Sequence, residues 1–342
     1  MGLTERLVAA VIGSGAPLDL LSVKQTVAHV ARTEAPLASA AELQSVVDSI
    51  VGLGPLEELL RDPQVTDVLV NGPREIWVER SGRLARVGVQ FESDDALLAG
   101  VERVISPLGL RLDRSSPTVD ARLADGSRLH AMIPPAVVGH PVVAIRRFSQ
   151  AVPDLDAFVA AGGTDPDTAR SLAEAVRSSL TILVSGGTGS GKTTLLNVLS
   201  AHIPIGERVV VVEDASELRL AGHVVRLEAH PPNLEGMGEI TLSHLMRSAL
   251  RLRPDRIILG EVRGPEALQL LTAINTGHRG SMSTVHANSP DEAMWRLETL
   301  ALMGGTGIPA EVIRRQLQAG VQVVVQLERV GAARRIAAVS WL

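Results

Sequence analysis

Hydrophobic and polar positions change their period twice along this 342-residue chain. Over 18–32 and 40–53 apolar side chains recur every three or four positions, with Thr33-Glu34-Ala35-Pro36 between, so residues 1–50 are expected as a helical N-terminal segment. Such a segment serves either as a packing appendage or as a docking element. From Gly54 to about Phe148 the runs shorten to strands. They cover 67–73, 75–80 and 84–87, with Ser81-Gly82-Arg83 as a turn, then 118–123, 128–133 and 141–148, with a helix over 94–108 among them. This pattern predicts a smaller α+β domain over 51–150. Val152-Pro153-Asp154 through Gly162-Gly163-Thr164 marks 151–165 as a linker, ending at Asp165, which caps a helix with Pro166 at its first position.

Strands and helices alternate over 166–342. An apolar run at 180–184 is followed by strands at 207–213, 256–260 and 280–285, helices at 242–252, 265–276 and 290–303, and a closing hairpin from 321–327 and 335–340. That order predicts an α/β fold whose mostly parallel sheet has helices on both faces and a ligand at the carboxyl ends of its strands.

Gly186-Gly187-Thr188-Gly189-Ser190-Gly191-Lys192-Thr193-Thr194 stands between the apolar run 180–184 and Leu195-Leu196-Asn197-Val198-Leu199. The spacing G-x-x-x-x-G-K-T is that of a phosphate loop (Walker A). Its glycines let backbone N–H groups curl around phosphates, and the helix that follows turns its positive end toward them. Lys192 would reach the β- and γ-phosphates, and Thr193 would ligate Mg²⁺.

Composition narrows the partners. Hydrophobic residues make up 45% and charged residues 21%, which suits a globular chain long enough for two cores. The absence of cysteine excludes disulfides and thiolate metal sites and fits a reducing compartment. Glu5 precedes a short apolar run without the basic region of a signal peptide, and no apolar run nears the ~18 residues of a membrane span. A cytoplasmic protein docked on a membrane through a partner is expected. A net charge of −5 with scattered basic residues disfavours nucleic acid as a partner. The only lysines are Lys24 and Lys192, so Lys192 is a lysine kept where a guanidinium would be too bulky.

Phosphoanhydride hydrolysis needs a metal, an aligned water and positive charge for the developing oxyanions. Arg256-Ile257-Ile258-Leu259-Gly260-Glu261 is an apolar strand ending in an acid. Glycine occupies position 260 where many such enzymes place aspartate, so Glu261 is the expected metal-side carboxylate, acting through water; the alternative is a plain surface acid. The run Val209-Val210-Val211-Val212 ends in Glu213, a candidate to orient or deprotonate the attacking water, with Glu217 in reserve; capping or solvated acids are the alternative. His278 and His286 flank the strand 280–285. A neutral imidazole there would sense the γ-phosphate or bond an acid such as Glu261, and structural bonding of the loops is the plainer role.

With these motifs the chain resembles the secretion ATPase superfamily of type II and type IV secretion, type IV pili and archaeal flagella. The resemblance spans roughly residues 50–330. It rests on the phosphate loop, on 212–218 as the Asp box, on 253–264 as the Walker B segment, and on 276–281 with 284–288 as the His box. Gly52-Leu53-Gly54-Pro55-Leu56-Glu57 and 65–73 look like the CpaF/TadA branch, the tight-adherence (Flp) pilus ATPases, and the cysteine-rich insertion of other branches is absent. The resemblance implies a RecA-like ATPase domain, ATP with Mg²⁺, a homo-hexamer, and an inner-membrane pilus or secretion platform protein as partner. It also implies arginines of the N-terminal domain closing over the phosphates, matched here by Arg128 and by Arg146 or Arg147. Arg247 and Arg251 would act across a subunit interface or simply form salt bridges on a solvated helix. Two other functions use the same residues: a nucleotide-gated scaffold with negligible turnover, and a DNA-translocating ATPase of a conjugation-type system.

Overall fold

Helix caps set the first elements of the chain, described by a computed structural model that covers all residues except 1, 81, 148–151, 231, 233–236, 306 and 332. Ser81 of the expected turn, Phe148 at the expected strand end and residue 151 of the expected linker lie outside the described residues. Two compact units divide the chain, Met1–Ser149 and Gln150–Leu342.

In the first unit, helix α1 (Leu3–Gly13) is followed by α2 (Leu20–Glu34) and α3 (Ala40–Val51). The expected start at 18 moves to Leu20 because Asp19 Oδ1 accepts the amides of Leu21 and Ser22 and so becomes the cap. Ser39 and Glu42 form a reciprocal capping box before α3. Leu7, Val11, Val23, Val27, Val46 and Ile50 meet in a core of their own, so the segment is a packed three-helix unit rather than a loose one. Helix α4 (Leu56–Arg61) escaped the sequence pattern because it is too short to show a helical period, although Leu56, Leu59 and Leu60 all bury.

The strands β1 (Val65–Asn71), β2 (Ile76–Arg80), β3 (Arg83–Val87), β4 (Thr118–Arg122), β5 (Arg128–Met132) and β6 (Val142–Arg146) pair antiparallel in the order β3-β2-β1-β6-β5-β4. Helix α5 (Asp94–Ile105) covers one face, where Leu97, Val101 and Ile105 pack with Val68, Val70, Leu129 and Ile145. The other face carries the polar half of each alternation, as an antiparallel sheet allows.

The second unit corrects the expected linker. Within 151–165 lies helix α6 (Leu155–Ala160), capped by Asp154, and its Leu155 and Phe158 are buried in this unit's core. Helix α7 (Pro166–Arg177), capped by Asp165, precedes β7 (Ile182–Gly186) and α8 (Lys192–Ser200). The rest is β8 (Val209–Glu213), β9 (Val224–Glu228), α9 (Leu242–Ala249), β10 (Arg256–Val262), α10 (Glu266–Asn275), β11 (Met282–Val285), α11 (Pro290–Leu302), α12 (Ala310–Gly320), β12 (Val323–Val330) and β13 (Ala333–Trp341). Strand β9 and helix α12 were not expected.

The sheet runs β13-β12-β7-β11-β10-β8-β9, parallel except for the β12–β13 hairpin. Successive residues of its apolar strands serve two cores. Val210, Val212, Ile257 and Leu259 face α9 to α12, while Val209, Val211, Ile258 and Val184 face α6 to α8. This is why strands such as Val209-Val210-Val211-Val212 are unbroken apolar runs.

Arg256, 1% exposed, ties the amino edge of this sheet. Its guanidinium ion-pairs with Glu207, donates to the Val176 carbonyl and reaches Ser179 Oγ at 3.1 Å.

Candidate active site

Strand β7 ends at Gly186, whose φ of 152° suits glycine. A Cβ there would lie 2.5 Å from Ser190 Oγ and 2.6 Å from the Leu327 carbonyl oxygen. Gly191 then caps α8 with φ 95°, so the loop turns back and presents its amides at the helix start. Lys192, the first residue of α8, is 7% exposed. Its ammonium donates to the carbonyls of Gly186 and Gly187, both at 2.9 Å, and lies 3.2 Å from His286 Nδ1. Burial lowers its pKa, which the Glu261 carboxylate partly opposes. Thr193 follows in the first turn, half-buried, and with Glu261 provides the hydroxyl and carboxylate oxygens that suit a hard cation. Among the described residues no three His, Cys, Asp or Glu side chains form a metal cage.

The parallel order brings the carboxyl ends of β10, β11 and β8 beside the loop. His286, just past β11, places Nε2 2.7 Å from Glu261 Oε1, a close contact whose alignment falls short of a hydrogen bond. Burial, then the Lys192 ammonium, lowers the His286 pKa, against the pull of the Glu261 carboxylate. Arg263 Nη2 donates to Glu261 Oε2 at 2.7 Å and its Nη1 reaches Asp214 at 3.5 Å. The bond to Glu261 raises the Arg263 pKa. A chain of contacts thus runs Lys192, His286, Glu261, Arg263, Asp214. His278 stays in the loop after α10, with Nδ1 against the Ala273 carbonyl at 3.2 Å, so the plainer role holds for it.

Glu213 ends β8, 3% exposed. Its Oε1 accepts the amides of Glu217 at 2.8 Å and Leu218 at 3.0 Å, while Oε2 is buried with no hydrogen-bond partner among the described residues. Burial raises its pKa against the pull of those two amides. Such a carboxyl is chemically able to take a proton at Oε2. Behind the site Gln326 Nε2 donates to the Ala287 carbonyl at 3.2 Å and its Oε1 accepts from Ser185 Oγ, which locks β12 and β7 to the segment after β11.

In the first unit Arg128 and Arg146 are directly opposed across β5 and β6, and Arg122 opposes Arg128 across β4 and β5. One row on the outer sheet face therefore reads Arg122, Arg128, Arg146, Asp67, Glu79. Arg146 pairs with Asp67 at 3.1 Å yet is 58% exposed. Arg147 is committed elsewhere, donating to the carbonyls of Asp62 and Val65. Arg247 and Arg251 are both exposed, and among the described residues neither has an ion pair.

The sequence signature described as type II/IV secretion system protein matches residues 50–335. The chain belongs to that family. As a member of the type II/IV secretion family it is a nucleotide-binding ATP hydrolase with a RecA-like fold. A putative conjugal transfer protein of Mycobacterium tuberculosis is 42% identical over 302 residues, covering 86% of this chain and 85% of that protein. The type IV secretion system protein VirB11 of Brucella suis is 32% identical over 303 residues, covering 80% and 84%. The crystal structure of the Legionella pneumophila ATPase DotB matches with a TM-score of 0.60 at 21% identity over 82% of this chain and 78% of that one, a likeness of fold. Among the described residues no helix is long and apolar enough to cross a membrane.

Sequence reasoning missed Arg263, Asp214 and Arg122 as members of these clusters. For Arg263 a signal existed: it stands two residues after Glu261 at a strand end, hence on the same face. Arg122 joins its row only through strand pairing, and Asp214 joins its cluster only through tertiary packing, and no local spacing reports either.

Proposed function

We propose that this chain is a homo-hexameric motor of the tight-adherence (Flp) pilus branch, which uses ATP hydrolysis to drive pilus assembly or protein secretion through an inner-membrane platform protein. The observation that carries the reading is the shared edge of Lys192, His286, Glu261 and Glu213 at the carboxyl ends of β7, β11, β10 and β8. The branch is supported by 52–57, 65–73 and the cysteine-free sequence.

Mg²⁺ would be held by Thr193 directly and by Glu261 through water, and it supplies charge neutralisation for the phosphates. The chain does the rest. Loop amides hold the phosphates, and Lys192 exchanges its carbonyl partners for phosphate oxygens. Glu213 accepts the proton of the attacking water at its free oxygen, Oε2. His286, relieved of Lys192, reports whether the γ-phosphate is present. Arg128 and Arg146 supply the paired, permanently charged forks that bind phosphate oxygens from the first unit. Loss of the γ-phosphate releases these contacts, and this differential binding drives the motion of the motor. Peripheral placement on the cytoplasmic side of the inner membrane follows from the partner rather than from this chain.

The test is ATP turnover of the purified protein and its Lys192→Ala variant, with mass by light scattering with and without Mg-ATP. Turnover lost in the variant and a six-subunit particle support the motor. Turnover retained in the variant overturns the site, and binding without turnover favours the scaffold. The conjugal-transfer name of the 42%-identical relative favours a second reading, a DNA-translocating ATPase. It requires stimulation by DNA with a steep salt dependence.

A further inference from the structure

Two arginines from the C-terminal hairpin stand against the phosphate loop. Arg329 in β12 and Arg334 in β13 are directly opposed in the antiparallel register, so both side chains leave the same face of the hairpin. Like charges so placed destabilise a strand pair. The adjacent pair, Glu328 and Arg335, lies on the other face and neutralises itself, with Arg335 Nε donating to Glu328 Oε1 at 2.7 Å.

The arginine pair points at two loop glycines. A Cβ at Gly189 would lie 3.2 Å from Arg329 Nη1, and one at Gly191 would lie 3.1 Å from Arg334 Cδ. Arg329 Nε donates to the Gly331 carbonyl at 3.0 Å. Arg334 Nε is buried with no hydrogen-bond partner among the described residues, although a desolvated guanidinium nitrogen without an acceptor is costly.

Sheet order fixes which part of a nucleotide this pair would meet. Strand β12 flanks β7 on one side, and β11, β10 and β8 lie on the other, bringing His286, Glu261 and Glu213. The arginines approach the loop from the flank away from the acids, so on the nucleotide reading they would meet the phosphates that ADP and ATP share.

We propose that Arg334, with Arg329 beside it, binds the non-terminal phosphates of the nucleotide and grips ADP and ATP alike. This rests on the nucleotide reading of the loop. A bound diphosphate gives Arg334 Nε its missing acceptor and relieves the like-charge pair. The guanidinium fork suits the task because it offers paired donors to phosphate oxygens.

The experiment is calorimetric titration of the full chain with ADP and with ATP, alongside steady-state turnover, for wild type, Arg334→Met, Arg334→Lys, Arg329→Met and Lys192→Ala. Arg334→Met is expected to weaken both nucleotides by about tenfold, the scale of one charge-assisted hydrogen bond. The drop in kcat/KM then appears mainly in KM, the mark of a contact made equally in ground and transition states. Arg334→Lys recovers only part of the affinity, and Arg329→Met loses less than Arg334→Met.

The thermal midpoint without nucleotide separates packing from binding, since a purely structural arginine lowers it and leaves ligand affinity intact. If Arg334→Met lowers the midpoint, the Arg334→Lys and Arg329→Met titrations decide. Unchanged ADP affinity in the Arg334 variants overturns the proposal, as does loss of ATP binding with ADP binding intact. If Lys192→Ala also leaves both affinities untouched, the nucleotide reading of the loop fails instead.

Discussion

Glu213 Cγ sits 3.0 Å from where a Cβ of residue 260 would be, so the glycine of β10 provides the space that the carboxylate of β8 occupies. The two strands are adjacent and parallel, with Leu259 in register with Val212. A side chain at position 260 would compete with Glu213 for that space.

Gly260→Ala is therefore expected to push Glu213 aside by a few tenths of an ångström and to lower kcat by about tenfold or more, since small misplacements of a reacting group are costly. ADP affinity should stay near wild type. Unaltered turnover in a crystallographically intact variant would contradict this account of the glycine.

Glu213→Gln keeps the oxygen that accepts the amides of Glu217 and Leu218 but cannot take a proton. Turnover should fall about 10²- to 10⁴-fold, the usual worth of a general base. The same variant tests the raised pKa. A carboxyl with a folded pKa above its unfolded value binds more protons in the native state between the two. Unfolding free energy therefore falls as pH rises from the ordinary value of 4.5 through the raised one. Urea midpoints measured from pH 5 to 8 should decline less in Glu213→Gln than in wild type.

Arg146 and Arg147 are neighbours in sequence with opposite commitments. Arg147→Ala leaves the carbonyls of Asp62 and Val65 without their donor and should lower the thermal midpoint by several degrees. Arg146→Ala removes an exposed pair with Asp67, so the midpoint should hardly move while kcat falls if Arg146 reaches phosphate. Differential scanning calorimetry with turnover assays separates the two.

Arg256→Leu would leave the Glu207 carboxylate without its ion-pair partner and take one donor from the Val176 carbonyl, which keeps the Ser179 amide, at the amino edge of the second sheet. Breaking such a buried pair costs about 3–5 kcal/mol. The second unit should unfold about ten degrees earlier, and urea denaturation followed by circular dichroism gives the direct measure. A shift of only a degree or two would mean that the clamp contributes little.

Much of the scaffold was legible locally. The capped helix at Pro166, the strand ending at Gly186 and the nine-residue loop depend on turn chemistry and apolar runs, which neighbouring residues decide. The acids Glu213 and Glu261 were legible too, because each ends an apolar strand and parallel strands all open toward one edge. Helix α6 was misread as linker because six residues carry less than two turns of period, and its Leu155 and Phe158 became decisive only against the core they join.

Short-range spacing was enough to reveal the glycine-rich loop at 186–194, the alternation of strand and helix, and the sheet edge at which Glu213 and Glu261 emerge. The tertiary structure alone decided that Glu213 fills the gap at Gly260, that Lys192 and Glu261 meet at His286, that Arg147 is structural, and that Arg329 and Arg334 face the loop. Those contacts join residues from 25 to about 140 positions apart, or depend on strand register, and no local pattern encodes them.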